Sequence, residues 1–183
     1  TRRDGLIAIK LKEDDQLITV KRVAPGEKVV LVSSAGKAIA WEEAEARAMG
    51  RDTTGVRGMS LPDDARVLDM SIVKGEGDLF VITENGYGKR TPIEEYPCHH
   101  RGGQGVYTIT MTMKKGMLAA AKMVTEDEEL IIISEEGVVV RTPVAGISEQ
   151  GRNTQGVRVM NVAKKDKVTA VGIAEDSKGR RNK

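Results

Sequence analysis

The sequence predicts an all-β protein, a propeller-like array of four-stranded blades with one blade per unit of about 50 residues, forming part of a ring. Three observations carry that expectation. Glycines recur in register: Gly5, Gly55, Gly105 and Gly156 are separated by 50, 50 and 51 residues, and Gly36, Gly86 and Gly137 by 50 and 51. Apolar runs keep the same beat, with residues 29–32, 79–82 and 130–133 as one series and Leu17, Val67, Met117 and Val168 opening another. Each run is short, rich in β-formers and bounded by turn residues. A unit of this size cannot bury a core alone and must stack on its neighbours.

The elements follow in order. The run at 29–32 leads into Ser33-Ser34-Ala35-Gly36, and its counterparts lead into Thr83-Glu84-Asn85-Gly86 and Ser134-Glu135-Glu136-Gly137. These read as hairpins with return strands at 37–41, 87–91 and 138–142. The longer connections 42–54, 92–104 and 143–155 follow; Pro92, Pro97 and Pro143 keep them irregular, and only 42–49 suggests a helical turn. Third strands are expected at 55–61, 105–111 and 156–162, and fourth strands at 67–73, 117–123 and 168–174.

The chain thus divides into the second half of a truncated blade at 1–24, with strands at 5–10 and 17–23, and blades at 25–74, 75–125 and 126–174. Residues 175–183 form a basic tail expected to be disordered. Opening mid-unit on Thr1, the chain is expected to be a piece of a longer polypeptide. A half ring leaves an open blade edge, which invites self-association.

Composition narrows the function classes. No run approaches the roughly 20 apolar residues of a membrane span, and no secretory signal is read at the start. Cys98 is the single cysteine, so no internal disulfide forms, in keeping with a cytoplasmic location. Lys and Arg total 29 against 27 Asp and Glu, a net charge of +2, so the placement of charge matters more than its sum.

One slot recurs ahead of each third strand. An arginine stands four residues before the glycine, at 51 and 55, 101 and 105, and 152 and 156, with small hydrogen-bonding residues between. Arg57 and Arg158 lie just inside two of those strands. A second basic slot lies on the return strands: Lys37, then Lys89 and Arg90, then Arg141. Glycine admits close approach of an anion to the backbone, and arginine offers a planar fork suited to phosphate. Repeated at fixed rotation, such slots match a DNA backbone without any base-reading helix. The same arginines can instead close salt bridges between blades, and the pattern leaves both readings open.

Other constellations carry less. Residues 86–91 lack the glycine and hydroxyl positions of a phosphate loop, with Thr83 and Arg90 in their place. His99 and His100 are adjacent and point apart, with no third ligand nearby. Trp41, Tyr87 and Tyr107 are too scattered for a base-stacking platform, and core or interblade packing is expected of them. No catalytic constellation is found.

Three motifs in order, residues 47–59 (RAMGRDTTGVRGM), 85–92 (NGYGKRTP) and 151–158 (GRNTQGVR), resemble the C-terminal DNA-wrapping domain of bacterial DNA gyrase A. The resemblance extends to about Ala174. It implies a β-pinwheel, a propeller-like ring in which hairpins are exchanged between neighbours, acting on double-stranded DNA beside the rest of gyrase A and the gyrase B partner. His100-Arg101-Gly102-Gly103-Gln104-Gly105 is similar to the core of that family's first-blade basic box but stands in a later blade. The resemblance also implies that the strand-breaking tyrosine, the ATP and the magnesium belong elsewhere in the enzyme, leaving this chain without catalytic residues or a cofactor. The DNA-contacting set it points to is Arg51, Arg57, Lys89, Arg90, Arg101, Arg141, Arg152 and Arg158, with Lys114 and Lys115 secondary. Gly36, Gly55, Gly86, Gly105, Gly137 and Gly156 are expected to be structural. The equivalent domain of topoisomerase IV is the nearest alternative; an interaction propeller of the kelch type lacks its double-glycine and tryptophan pattern here.

Overall fold

A computed structural model describes residues 5–174; the expected disordered tail lies outside them. Eleven strands run in chain order: β1 (Lys28–Ser33), β2 (Lys37–Glu42), β3 (Val67–Val73), β4 (Asp78–Thr83), β5 (Tyr87–Pro92), β6 (Val106–Tyr107), β7 (Leu118–Val124), β8 (Glu129–Ser134), β9 (Val139–Pro143), β10 (Val157–Arg158) and β11 (Val168–Ile173). Single 3-10 turns follow β2, β5 and β9, the first at Glu43–Glu45, and these are the only helical residues described. The strands form three sheets ordered β3-β1-β2-β6, β10-β5-β4-β7 and β11-β8-β9.

Each hairpin is tight because a glycine closes it. The Gly36, Gly86 and Gly137 N–H groups donate to Ser33, Thr83 and Ser134 across loops of three, three and four residues, and all three glycines have positive φ. The fourth strand of each unit then pairs with the first strand of the same unit, and the register slips at one place in all three sheets, between Val32 and Ser33, Ile82 and Thr83, and Val168 and Ala170.

The third strand behaves differently from the sequence expectation. Of the three runs expected to be seven residues long, two shrink to two-residue strands, β6 and β10, and 55–61 forms none. Moreover, β6 joins β2 of the preceding unit, pairing Tyr107 with Lys37 and Val106 with Ala38, while β10 joins β5, pairing Arg158 with Tyr87 and Val157 with Gly88. The strands are short because the chain then dives inward: Ile109 and Met160 are buried between sheets. Residues 5–10 and 17–23 also form no strand. Leu6, Ile7 and Val20 remain exposed. Even so, the Lys10 N–H donates to Thr53 at 3.1 Å, the same bond that Ser60 makes to Gly103 and Thr110 to Thr154.

Strands β1 and β4 are buried on both faces, which explains their unbroken apolar runs. Val30, Val32, Ala38 and Ala40 of the first sheet meet Leu79 and Val81 of the second around Ile109 and Leu118. Phe80 and Ile82 turn the other way, toward Leu130, Ile132 and Met160. The first sheet's opposite face carries Val29, Leu31, Trp41 and Met59. Fully burying one such side chain contributes about 1.5–3 kcal/mol, so adhesion between sheets dominates stability. At the far end, β9 has no outer strand among the described residues.

The exchange fixes the glycines that flank it. Gly105 has φ +71°, and a Cβ there would lie 2.2 Å from the Ala38 carbonyl oxygen. Gly137, with φ +83°, meets nothing within 4 Å. Gly137→Ala should therefore cost only the left-handed backbone penalty of about 1–2 kcal/mol. Gly105→Ala should cost clearly more, because backbone must move, and urea unfolding of the two variants measures the difference.

Candidate nucleic-acid interface

The loop arginines prove to be clasps within the protein. The Arg101 N–H donates to the Glu45 carboxylate at 2.9 Å, its Nε–H to the Glu45 carbonyl at 3.0 Å and its guanidinium to the Arg57 carbonyl at 3.2 Å. One unit later, the Arg152 N–H donates to Glu95 at 3.1 Å and its guanidinium reaches the Tyr107 carbonyl at 3.5 Å. Glu45 and Glu95 thus each receive the loop of the following unit. The Arg101 N–H, with help from His100, holds the Glu45 carboxyl below the usual range. Arg51, the third of the series, is exposed, with no ion pair or side-chain hydrogen bond among the described residues, and the side chain of Arg57 is likewise open.

Three of the four return-strand cations are also held within the protein. Lys89 is fully buried, and its ammonium donates to the carbonyls of Gly151 at 2.5 Å and Arg152 at 2.8 Å. Desolvation pushes it down to about 8. Arg90, about a tenth exposed, donates to Asp78 at 2.5 Å and faces Glu149 at 3.1 Å and Glu126 at 3.3 Å. The bond to Asp78 raises its already high pKa. Arg141 pairs with Glu129 in the position equivalent to Arg90 and Asp78. Lys89 and Arg90 thus hold sheets and loops together and present no free charge, contrary to their reading as rim contacts.

The sequence reading missed where the exposed rings go. Tyr107 is 57% exposed and Tyr87 half-buried, so neither is a core residue; of the core or interblade packing expected, they take the interblade place. Both sit at the seam where the donated strand joins. The Lys37 ammonium lies 5.0 Å from the Tyr107 ring centre and bonds to Gln104 at 2.9 Å. On the next sheet the partners exchange strands: Arg158 lies 4.9 Å from the Tyr87 ring centre and donates to its hydroxyl at 2.6 Å. Lys115 adds a second cation 4.7 Å from the same ring. The pairing of Lys37 with Tyr107 and of Tyr87 with Arg158 would have flagged this slot, but only once the exchange was known. Trp41, by contrast, is buried as a core residue, on the first sheet's opposite face with Leu31 and Met59. His99, His100 and Cys98 are exposed, and no group of three or more His, Cys, Asp or Glu among the described residues is arranged to hold a metal ion.

A repeat protein whose blades trade strands, with cations at each seam, defines a propeller of the pinwheel kind. Known proteins agree: residues 1–24, 27–74, 77–116 and 128–175 match the family model described as DNA gyrase C-terminal domain, beta-propeller. The chain belongs to that family. It is 41% identical over 170 residues to the DNA gyrase A protein of Salmonella typhimurium, covering 93% of this chain and 19% of that protein. With the DNA gyrase A protein of Staphylococcus aureus it shares 38% identity over 183 residues, covering 98% of this chain and 21% of the relative. The chain therefore spans about a fifth of these relatives' length. Among solved structures, a DNA gyrase A C-terminal domain superposes with a TM-score of 0.86 at 30% identity, covering 93% of this chain and 58% of that one. The C-terminal domain of a DNA topoisomerase IV matches equally well in shape, with a TM-score of 0.86 at 21% identity over 92% of this chain and 53% of its own, and shares the fold.

Lys89→Met should cost about 1–3 kcal/mol, because two loop carbonyls lose their donor. The sign of its pH effect follows from the depressed pKa. Between about 8 and the ordinary 10.5 the unfolded chain binds more protons at this site, so stability rises with pH through that window. Thermal midpoints across that range should converge on a flatter profile in the Lys89→Met variant.

Proposed function

We propose that this chain is the duplex-DNA-binding and DNA-bending module of a DNA gyrase A protein, wrapping DNA so that an ATP-dependent type IIA topoisomerase introduces negative supercoils. The observation that carries it is a set of cations free of carboxylate partners among the described residues: half-buried Lys37 and Lys115 and exposed Arg158 against the rings at two successive seams, with exposed Arg57 at the position equivalent to Arg158. Of the arginines read from the sequence, Arg51, Arg57 and Arg158 are the direct contacts, while Arg101 and Arg152 position the loops beside them. Gyrase B and the remainder of gyrase A, in a heterotetramer, supply the strand-passage gate and the ATP and magnesium chemistry, in the cytoplasm. No helix among the described residues is long and apolar enough to cross a membrane. The unpaired edge of β9, with Val138 and Val139 exposed, supports self-association of the isolated chain.

Bending a site of 20–30 bp by 40–90° costs on the order of 1–6 kcal/mol. Contacts to several phosphates offset that and weaken with salt, each contributing a slope of about −0.9 in log affinity against log salt. A titration of duplex DNA labelled at both ends, at several salt concentrations, should show salt-dependent binding with shortened end-to-end distance. Binding without shortening would leave a DNA-binding domain that does not bend; absence of binding at low salt would sink the reading.

A further inference from the structure

Among the described residues, most cations that touch another side chain touch a carboxylate: Arg90, Lys122, Arg141 and Lys167 each have an acidic partner. Lys115 and Arg158 do not. The Lys115 ammonium donates to the carbonyls of Gln155 at 3.1 Å and Gly156 at 3.2 Å. Arg158 donates to the Tyr87 hydroxyl and, at 3.4 Å, to Asn161. Both lie against one ring. Two positive charges thus lie 4.7 and 4.9 Å from one ring centre, anchored by neutral groups, with donors left over on each: an ammonium has three and a guanidinium five.

Like charges so placed repel unless an anion joins them. The neutral anchors have already restricted the side-chain freedom that binding would otherwise remove, and a cation over an aromatic face keeps its full charge. The three residues come from two consecutive units, since Tyr87 and Lys115 belong to one and Arg158 arrives on the strand donated by the next. We propose that Lys115 and Arg158, held on Tyr87, form a phosphodiester-binding site that exists only when the strand exchange is complete, with Lys37 on Tyr107 as its counterpart on the neighbouring sheet. This rests on the duplex-binding reading and identifies the atoms that carry it: Lys115 and Arg158 touch the phosphate, and Tyr87 is a positioning residue.

The test uses the full chain and a short mixed-sequence duplex, followed by anisotropy across a range of KCl concentrations. Removing two phosphate contacts in the Lys115→Gln, Arg158→Gln double variant should reduce the salt slope by about 0.9 per cation, with the thermal midpoint recorded as a check on folding. Tyr87→Phe, which keeps the ring, should retain the slope, whereas Tyr87→Leu should lose affinity and part of the slope. An unchanged slope in the double variant, with a reduced one in Arg57→Gln, overturns this site while leaving DNA binding standing. Failure of the unsubstituted chain to bind at low salt overturns both.

Discussion

Strand donation between consecutive units is the constraint on which the rest of the molecule depends. Only two residue pairs make each seam, Lys37 with Tyr107 and Ala38 with Val106 in one case, and Tyr87 with Arg158 and Gly88 with Val157 in the other. Their hydrogen bonds are few, so their importance is geometric. Once Val106 is paired, the Thr108 N–H reaches the Gly36 carbonyl at 2.9 Å and Ile109 enters the core between the first two sheets. Val159 and Met160 repeat the arrangement one unit later, where Val159 donates to Gly86 at 2.9 Å. The seam therefore sets which sheet follows which, and the apolar burial that results supplies the free energy.

That geometry sorts the cations into two populations. Arg90 has withdrawn from water among Asp78, Glu126 and Glu149. A buried charge stripped of its partners costs several kcal/mol, so Arg90 has no reason to leave them for a phosphate. Ala40 occupies the same position on the first sheet, which shows that the fold tolerates a neutral residue there. Lys89 similarly corresponds to Ile39. These positions become cationic where local acids or carbonyls receive them, and their recurrence in sequence says nothing about a shared ligand.

Much of the fold was legible because its signals are local. A glycine-closed turn between apolar runs specifies a hairpin wherever it occurs, and the hairpins at β1–β2, β4–β5 and β8–β9 lie where the 50-residue beat puts them. The third strand was misjudged because a pair such as Val106–Tyr107 is too short for periodicity, and its partner lies about seventy residues upstream. The burial of the cations was hidden for the same reason. Lys37 and Lys89 look alike as basic residues on return strands, yet one lies over a surface ring and the other is sealed under a neighbouring loop. Burial of that kind is set by the adjacent unit, which a single repeat does not encode.

A net charge of +2 is then no obstacle to binding a polyanion. The first hairpin separates its charges along the strand, Lys37 opening β2 while Glu42, Glu43 and Glu45 close it; in the second, Tyr87 with its two cations opens β5 beside Glu84 of the turn, while Glu94 and Glu95 follow its end. From Lys37 to Glu42 is about 17 Å at roughly 3.3 Å per residue. At physiological ionic strength the screening length is about 8 Å, so the acidic turns hardly weaken the potential at the seams. Lowering the salt lengthens that reach and lets the acids be felt, which tempers the gain in affinity that phosphate contacts alone would give. On the first sheet the two ends thus act as separate surfaces, the cationic seam at one and the acidic turn at the other, and a polyanion following the proposed seams would meet its repulsion at the acidic end.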